Sequence, residues 1–459
     1  MTQDLSTLRP SMGGGERGSS AGQVPGLVLV FSNGAARALA IPIGTGEVEL
    51  GRGAALLGEH QDLRMSRRHA RIRHEEGRFW VTDLGSQNGT FIEGEQATAG
   101  RTYELERVLR MGDSLLVPCR DVRPLSEQGI QVRDGLVRGP RFQALLTEVA
   151  RAARTGTTLH IHGESGTGKE GVARAFHESG ANAAGPFVAV NCAAVPEGVA
   201  ERLLFGAKRG AYSGADADTP GYLQAADQGT LFLDEVVELD LAVQAKLLRV
   251  LETREVLPLG ASRPRKVEIQ VCSASNRDLR ALVSQGRLRE DLYYRIGRPS
   301  VSLPPLRDRP EEIPQLVQAE IARAAPGVAL HVSLVEACLL RPWPGNVREL
   351  LVESRSAAQM ALLEKAPRVE LRHLAPSAGT VFGAPLPPPA AETPGAAAAR
   401  PPTRSLDDAL RVRIEEALRQ QHGNVAATAR ALGMHRTQLR RLLTRYGITV
   451  AAETEEDAE

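Results

Sequence analysis

Apolar residues in the N-terminal part of the chain come in short runs broken by polar turns. Leu27-Val28-Leu29-Val30-Phe31 precedes Asn33-Gly34, and Phe79-Trp80-Val81 precedes Gly85 and Asn88-Gly89. Short strands at this spacing predict a β-sandwich over residues 24–121. Over residues 133–376 strand-like runs alternate with longer stretches of helical period. That pattern predicts an α/β subdomain at 133–303 and a helical lid at 304–376. Further on, Leu406, Leu410, Ile414 and Leu418 repeat at helical spacing. A short helix is expected at 424–432, a turn at Gly433 and a further helix at 435–445. Together these make an all-α helix-turn-helix unit over 404–448.

The remaining segments lack such patterns. Residues 1–23 are Gly/Ser-rich and predict a disordered N-terminus. Residues 377–403, with Pro387-Pro388-Pro389 and Pro401-Pro402, predict a semi-rigid linker. Residues 449–459 form an acidic tail. At 459 residues the chain exceeds one core and predicts about three domains.

Net charge is +1, so no global field selects a nucleic acid or a membrane, and local asymmetry must decide. Cys119, Cys192, Cys272 and Cys338 have no paired spacing, which predicts buried thiols in a reducing compartment. No signal peptide is recognisable, and no stretch approaches the ~20 apolar residues of a membrane span. A soluble, cytoplasmic protein with no membrane partner is expected. Arg supplies nearly all the positive charge, which draws attention to Lys169.

Thr158-Leu159-His160-Ile161-His162 leads into Gly163, Glu164, Ser165, Gly166, Thr167, Gly168 and Lys169, a G-x-x-x-x-G-K loop followed by an amphipathic helix. Backbone N–H groups of such a loop close around phosphates, the helix N-terminus adds positive potential, and Lys169 reaches the β/γ-phosphates of ATP. Glu170 replaces the usual Ser or Thr, so other groups must complete the Mg²⁺ shell. Downstream, the apolar run 229–233 ends in Asp234 and Glu235. Asp234 is expected to hold Mg²⁺ and Glu235 to polarise the attacking water. Between these motifs lies a Gly-flanked loop, Gly210, Ala211, Tyr212, Ser213, Gly214 and Ala215. Its aromatic is expected to be exposed and to touch a partner.

Residues 137–376 resemble the AAA+ domain of bacterial enhancer-binding proteins, the sigma-54-dependent transcription activators. The phosphate loop, Asn191-Cys192-Ala193-Ala194, Leu204-Phe205-Gly206, the 210–215 loop and Leu233-Asp234-Glu235 carry the likeness. So do Ser275-Asn276-Arg277, Arg289 to Arg295, Leu303 to Arg307 and Trp343-Pro344-Gly345-Asn346-Val347-Arg348. The resemblance implies that Asn276 senses the γ-phosphate and that Arg348 is the lid sensor. It implies that Asn191 holds the catalytic Glu235, and that Arg289 and Arg295 are fingers acting on a neighbouring subunit's ATP in a hexameric ring. The 210–215 loop would contact sigma-54 RNA polymerase. Tyr212 and Ser213 replace the family's usual Phe and Thr, Arg202-Leu203 a usual Ser-Glu, and Ala207 a usual His. A buried methyl is worth about 0.8 kcal/mol, so weakening rather than loss is expected.

Gly51-Arg52, Ser66-Arg67-Arg68-His69 and Asp83 through Asn88-Gly89-Thr90 are similar to a forkhead-associated (FHA) domain. Arg52 can fork onto a phosphate and Ser66 can donate its hydroxyl, with Arg67 beside them and Asn88 holding the ligand's backbone. The resemblance implies phosphothreonine as target, hence a phosphoprotein or Ser/Thr kinase as partner. His69 is read as a loop brace. Glu93, where the family often has Asn, is expected to alter peptide preference.

Residues 404–445 hold nine arginines against four acids. They resemble a Fis-type DNA-binding domain, with His435, Arg436, Thr437, Gln438, Arg440 and Arg441 along the recognition helix. The assembled expectation is an ATP-driven activator bound to DNA upstream of promoters. The alternative is a DNA-binding regulator that hydrolyses ATP without engaging sigma-54.

Overall fold

The computed structural model describes residues 22–383 except 45, 59–61, 134–135, 197, 213–214 and 382, together with 414, 417, 418, 421, 424–431, 439 and 443. The chain forms two compact units, Met1–Pro387 and Pro388–Glu459.

The first unit opens with ten strands: β1 (Gly26–Ser32), β2 (Ala35–Pro42), β3 (Glu47–Leu50), β4 (Ala70–Glu75), β5 (Arg78–Asp83), β6 (Thr90–Ile92), β7 (Glu95–Gln96), β8 (Thr102–Leu105), β9 (Leu109–Met111) and β10 (Ser114–Cys119). They form two antiparallel sheets, β2-β1-β10-β9-β6-β7 and β3-β4-β5-β8. Leu27, Leu29, Ile41, Ile72, Val81 and Leu116 fill one core between them. The β1 strand breaks the usual alternation, for all seven of its residues are buried. Its register slips between Leu29 and Phe31. Such a bulge lets successive side chains share a face, and Val30 and Phe31 both join a second core, with the helices of the lid.

Helix α1 (Arg123–Gln128) and the hairpin β11 (Gln131–Arg133)–β12 (Leu136–Arg138) lead to the α/β subdomain. It runs α2 (Pro140–Thr155), β13 (Thr158–His162), α3 (Lys169–Ser179), β14 (Phe187–Asn191), α4 (Ala200–Phe205), α5 (Tyr222–Ala225), β15 (Thr230–Asp234) and α6 (Leu241–Thr253). The hairpin β16 (Glu255–Val256)–β17 (Arg265–Lys266), then β18 (Gln270–Ser275), α7 (Leu279–Ser284), α8 (Glu290–Ile296) and β19 (Ser300–Ser302) complete it. The sheet is parallel, in the order β14-β15-β18-β13-β19. Parallel strands need cover on both faces. Val149, Val172 and Phe176 pack with one side of the sheet, and Leu204, Leu247 and Leu292 belong to a second core. Asp240 and Asp278 cap α6 and α7 by accepting backbone N–H bonds, which satisfies donors that a helix leaves free.

The lid contains α9 (Ile313–Ala324), α10 (Val332–Leu340) and α11 (Asn346–Leu363). Trp343 turns the chain between the last two. It is fully buried, at φ 50°, and its Nε1 donates to Cys338 O at 2.6 Å. Trp343→Ala is expected to lower stability by about 3–5 kcal/mol, measured as an earlier urea midpoint by circular dichroism.

In the second unit a helix spans Val425–Ala431, with the Asn424 side chain accepting from Ala427 N at 3.0 Å. Ile414, Leu418, Leu439 and Leu443 are buried. The expected recognition residues His435, Arg436, Thr437, Gln438, Arg440 and Arg441 lie outside the described residues, as do most of 1–23, the linker from 384 and the acidic tail.

Candidate active site

The phosphate loop sits between β13 and α3, at the carboxyl edge of the parallel sheet, where ligands of such sheets bind. Gly166 has φ 77°, and a Cβ there would lie 2.1 Å from Gly345 O, so only glycine permits this approach of loop and lid. The Lys169 Nζ donates to Gly163 O at 3.0 Å and to Glu235 Oε1 at 3.1 Å. It is 7% exposed, which keeps its charge in a poorly screened setting. Glu170 is placed differently from its partners in the motif. Its carboxylate bonds to Arg174 on the exposed side of α3, at 2.7 Å.

Asp234 and Glu235 end β15. Burial pushes the Asp234 carboxyl above its ordinary range, and the Lys169 charge pulls it back. Its Oδ1 is buried with no hydrogen-bond partner among the described residues. A buried orphan carboxylate oxygen beside a phosphate loop fits a hard cation such as Mg²⁺. Glu235 adopts the left-handed region, at φ 53°, a strained geometry that clusters at functional sites. Its Oε2 accepts from the backbone N of Asn276 at 3.3 Å, so Glu235 is anchored both to Lys169 and to the residue that follows β18. Asn191 lies beside Asp234 in register, but its Oδ1 accepts from Ala193 N at 3.0 Å. A short polar side chain at a helix start satisfies its own turn first.

On the lid, Arg348 Nη1 donates to Ser165 Oγ at 3.3 Å and Arg348 N to Gly166 O at 3.2 Å. Arg289 forks onto Asp291, at 3.0 and 2.7 Å, and Arg295 donates to Leu251 O at 2.8 Å. Arg289 is the residue before α8 and Arg295 lies in it; both are exposed, as is Tyr294 at 70%.

The 210–215 loop is closed by Gly210 N to Ala215 O (2.9 Å) and Ala215 N to Tyr212 O (3.0 Å). It rests on the segment before β17, where Lys208 N donates to Leu259 O. Ser213 and Gly214 lie outside the described residues. Tyr212 is not the bare aromatic that the sequence predicts. It is half-buried, with the Arg202 guanidinium 5.0 Å from its ring centre. Two departures from the family pattern, Arg202 and Tyr212, are therefore in contact.

In the sandwich, a Cβ on Gly51 would lie 2.1 Å from Arg67 O, so glycine lets the end of β3 close on the 66–67 loop. Arg52 is half-buried with Nη1 3.4 Å from Leu63 O. The Ser66 Oγ accepts from Gln87 N at 3.0 Å, which leaves its proton free to donate. Asn88 Nδ2 donates to Arg64 O at 2.7 Å, and Arg67 is exposed. His69 is fully buried, accepts from Ser66 N at Nδ1 (2.9 Å) and faces Gly89 O with Nε2 (3.2 Å). That pairing fixes a neutral ring with its proton on Nε2, and burial holds its pKa below the usual range. Glu93 bonds to the turn between β8 and β9. Its Oε1 accepts from the backbone N of Glu106, Arg107 and Val108, so it shapes that turn.

Three family models match in chain order: the Sigma-54 interaction domain over residues 136–302, the FHA domain over 48–112, and the bacterial regulatory protein, Fis family, over 406–446. The anaerobic nitric oxide reductase transcription regulator NorR of Aeromonas salmonicida is 38% identical over 359 residues, covering 75% of this chain and 68% of its own. The chain belongs to the sigma-54-dependent transcription regulators. The regulator is also similar to the regulatory protein AtoC of Escherichia coli, at 37% identity over 339 residues, 69% of this chain and 68% of that one. A crystal structure of NtrX from Brucella abortus in complex with ADP aligns at 27% identity and TM-score 0.49, covering 71% of each chain. The regulator's central domain is an AAA+ ATPase. Among the described residues no helix is long and apolar enough to cross a membrane.

The regulator's phosphate loop is legible in its motif, whereas the residues that clasp it come from distant parts of the chain. The Arg307 guanidinium grips Glu164 through two bonds, at 2.9 and 2.7 Å. Asn346, fully buried at φ 53°, donates to Glu164 Oε2 (3.1 Å) and Ser165 O (3.0 Å). Arg309, paired with Glu312 in a nearly dry setting, donates to Thr167 O at 2.9 Å. Arg307 and Asn346 stand inside motifs that the family resemblance picks out, which is the signal that could have found them.

Proposed function

We propose that the regulator is an ATP-driven activator of sigma-54 RNA polymerase. Its subunits bind DNA through the Fis-type unit and assemble into a hexameric ring. ATP turnover drives the 210–215 loop against the polymerase, and phosphothreonine recognition by the FHA domain sets when this happens. The observation that carries this reading is the convergence of Lys169, Asp234, Glu235 and the Asn276 backbone at one sheet edge. Lys169 bonds Glu235, and the orphan Asp234 oxygen lies beside them.

In this reading Lys169 neutralises the β/γ-phosphates, and Glu235 takes the proton of the attacking water. Asp234 would hold Mg²⁺, which when bound screens the charge that develops on the phosphates. Arg289 and Arg295 serve the neighbouring protomer. Arg289 must first release Asp291, an exchange that costs little because both side chains are more than a third exposed. Arg436, Gln438 and Arg440 read or grip DNA upstream of the promoter, in the cytoplasm with the polymerase.

The full chain, mixed with sigma-54 RNA polymerase, promoter DNA and ATP, is expected to form open complexes. Hydrolysis without open complexes would favour a regulator that does not engage sigma-54. Arg52→Ala is expected to abolish phosphothreonine-peptide binding and leave basal ATP hydrolysis intact. Calorimetric titration checks this, and retained binding would remove the reader assignment.

A further inference from the structure

The outer face of the β2-β1-β10-β9 layer is not solvent-facing. Val28, Val30 and Leu115 share one buried core with Val317, Ile321 and Val335 of the lid. Polar contacts cross the same face. Arg110 Nε lies 2.9 Å from Glu336 Oε2, the two side chains being only 20% and 11% exposed, and the Arg110 guanidinium stacks on Phe91. Arg107 Nη1 donates to Leu340 O at 2.8 Å, and Ala36 N donates to Gln318 Oε1 at 2.6 Å. Glu93, through its bonds to the backbone of 106–108, holds the turn that carries Arg107. Contacts between domains of one chain are ordinarily modest and polar, and permit relative motion. A continuous apolar core with a covered ion pair opposes it.

Chains of contacts run from this face toward each of the two ligand sites. On the sandwich side the buried Asp62 carboxylate accepts from Arg64 N, Asp113 N and Ser114 Oγ. It thereby ties the loop bearing Ser66 to the first residue of β10. On the lid side α10 ends at Leu340, and the turn at Trp343 delivers Asn346 to Glu164 and Ser165 of the phosphate loop.

We propose that movement of the lid with the state of the nucleotide at Lys169 is transmitted across this face through α10 and the Arg110–Glu336 pair, and so couples nucleotide to phosphopeptide at Arg52, Ser66 and Asn88. The inference rests on the FHA domain being a phosphopeptide reader. Coupling between two binding sites is reciprocal, typically about five-fold or more.

The test uses the full chain and a fluorescent phosphothreonine peptide pool with randomised flanks. Its Kd is measured without nucleotide, with ADP and with ADP–aluminium fluoride. A shift of about five-fold or more between nucleotide states is expected, with the same factor in ADP affinity when peptide is added. Arg110→Gln and Glu336→Gln should each collapse the shift while leaving peptide binding and basal hydrolysis in place. The charge-swapped double variant, Arg110→Glu with Glu336→Arg, should restore it. Peptide binding of equal strength in every nucleotide state would overturn the coupling and leave the reader standing. A shift that persists in all three variants would also overturn the proposed route. Absence of peptide binding in every state would remove the reader itself, and the coupling with it.

Discussion

Glu235→Gln is expected to cut the turnover of ATP by about a hundred- to ten-thousand-fold, the usual worth of a positioned general base, while ATP still binds. The amide keeps the shape of the carboxylate but cannot take a proton. Lys169 and the Asn276 backbone donate to different oxygens of Glu235; the amide has one acceptor oxygen, so it keeps one of these two bonds, and that bond still orients the side chain. The binding apparatus is separate. It consists of the loop amides, Lys169 and the lid residues that clasp Glu164 and Ser165. Single-turnover hydrolysis together with a fluorescent-nucleotide titration separates the two effects. Loss of nucleotide binding, or retained turnover, would contradict the role given to Glu235.

Tyr212→Ala is expected to abolish ATP-dependent promoter opening while hydrolysis continues at the rate of the unaltered chain. The aromatic ring is the largest apolar group on the described part of the loop, and it is far from the phosphate chemistry in sequence and role. In the present structure the ring leans on Arg202. A cation–π contact at an exposed site is worth about 0.5–1 kcal/mol, so Tyr212 can leave it without large cost. Arg202→Ser should therefore strengthen engagement of the polymerase by about two- to five-fold, the same energy expressed as an equilibrium factor. Transcription assays and pull-downs with sigma-54 read both variants. A Tyr212→Ala protein that opens promoters normally would show that the loop works through other residues.

Local pattern made much of this molecule legible. The G-x-x-x-x-G-K spacing between a strand and an amphipathic helix placed Lys169 correctly, and the apolar run ending in Asp234 and Glu235 placed both acids at the sheet edge. What escaped the sequence was contact over long separations. Nothing in the neighbourhood of Arg110 announces Glu336, and nothing near Glu164 announces Arg307 or Asn346. The uninterrupted Leu27-Val28-Leu29-Val30-Phe31 run did carry a hint. A strand with one face in water alternates, whereas a strand buried on both faces does not, and β1 is buried throughout. Tyr212 was misjudged for the same reason. Its exposure depended on Arg202, and only the fold brings the two together. The family resemblance gives Asn191 a role at Glu235, and in this structure its Oδ1 accepts from the turn that follows it.

The claim that organises all of this is that ATP hydrolysis here serves a contact between the 210–215 loop and sigma-54. It is tested most directly by mixing the purified full chain with sigma-54 in the presence of ADP–aluminium fluoride, and resolving the mixture by size-exclusion chromatography with light scattering. The account predicts a stable complex that requires the analogue and is lost in Tyr212→Ala. A chain that hydrolyses ATP normally but forms no complex with sigma-54 under these conditions would contradict it.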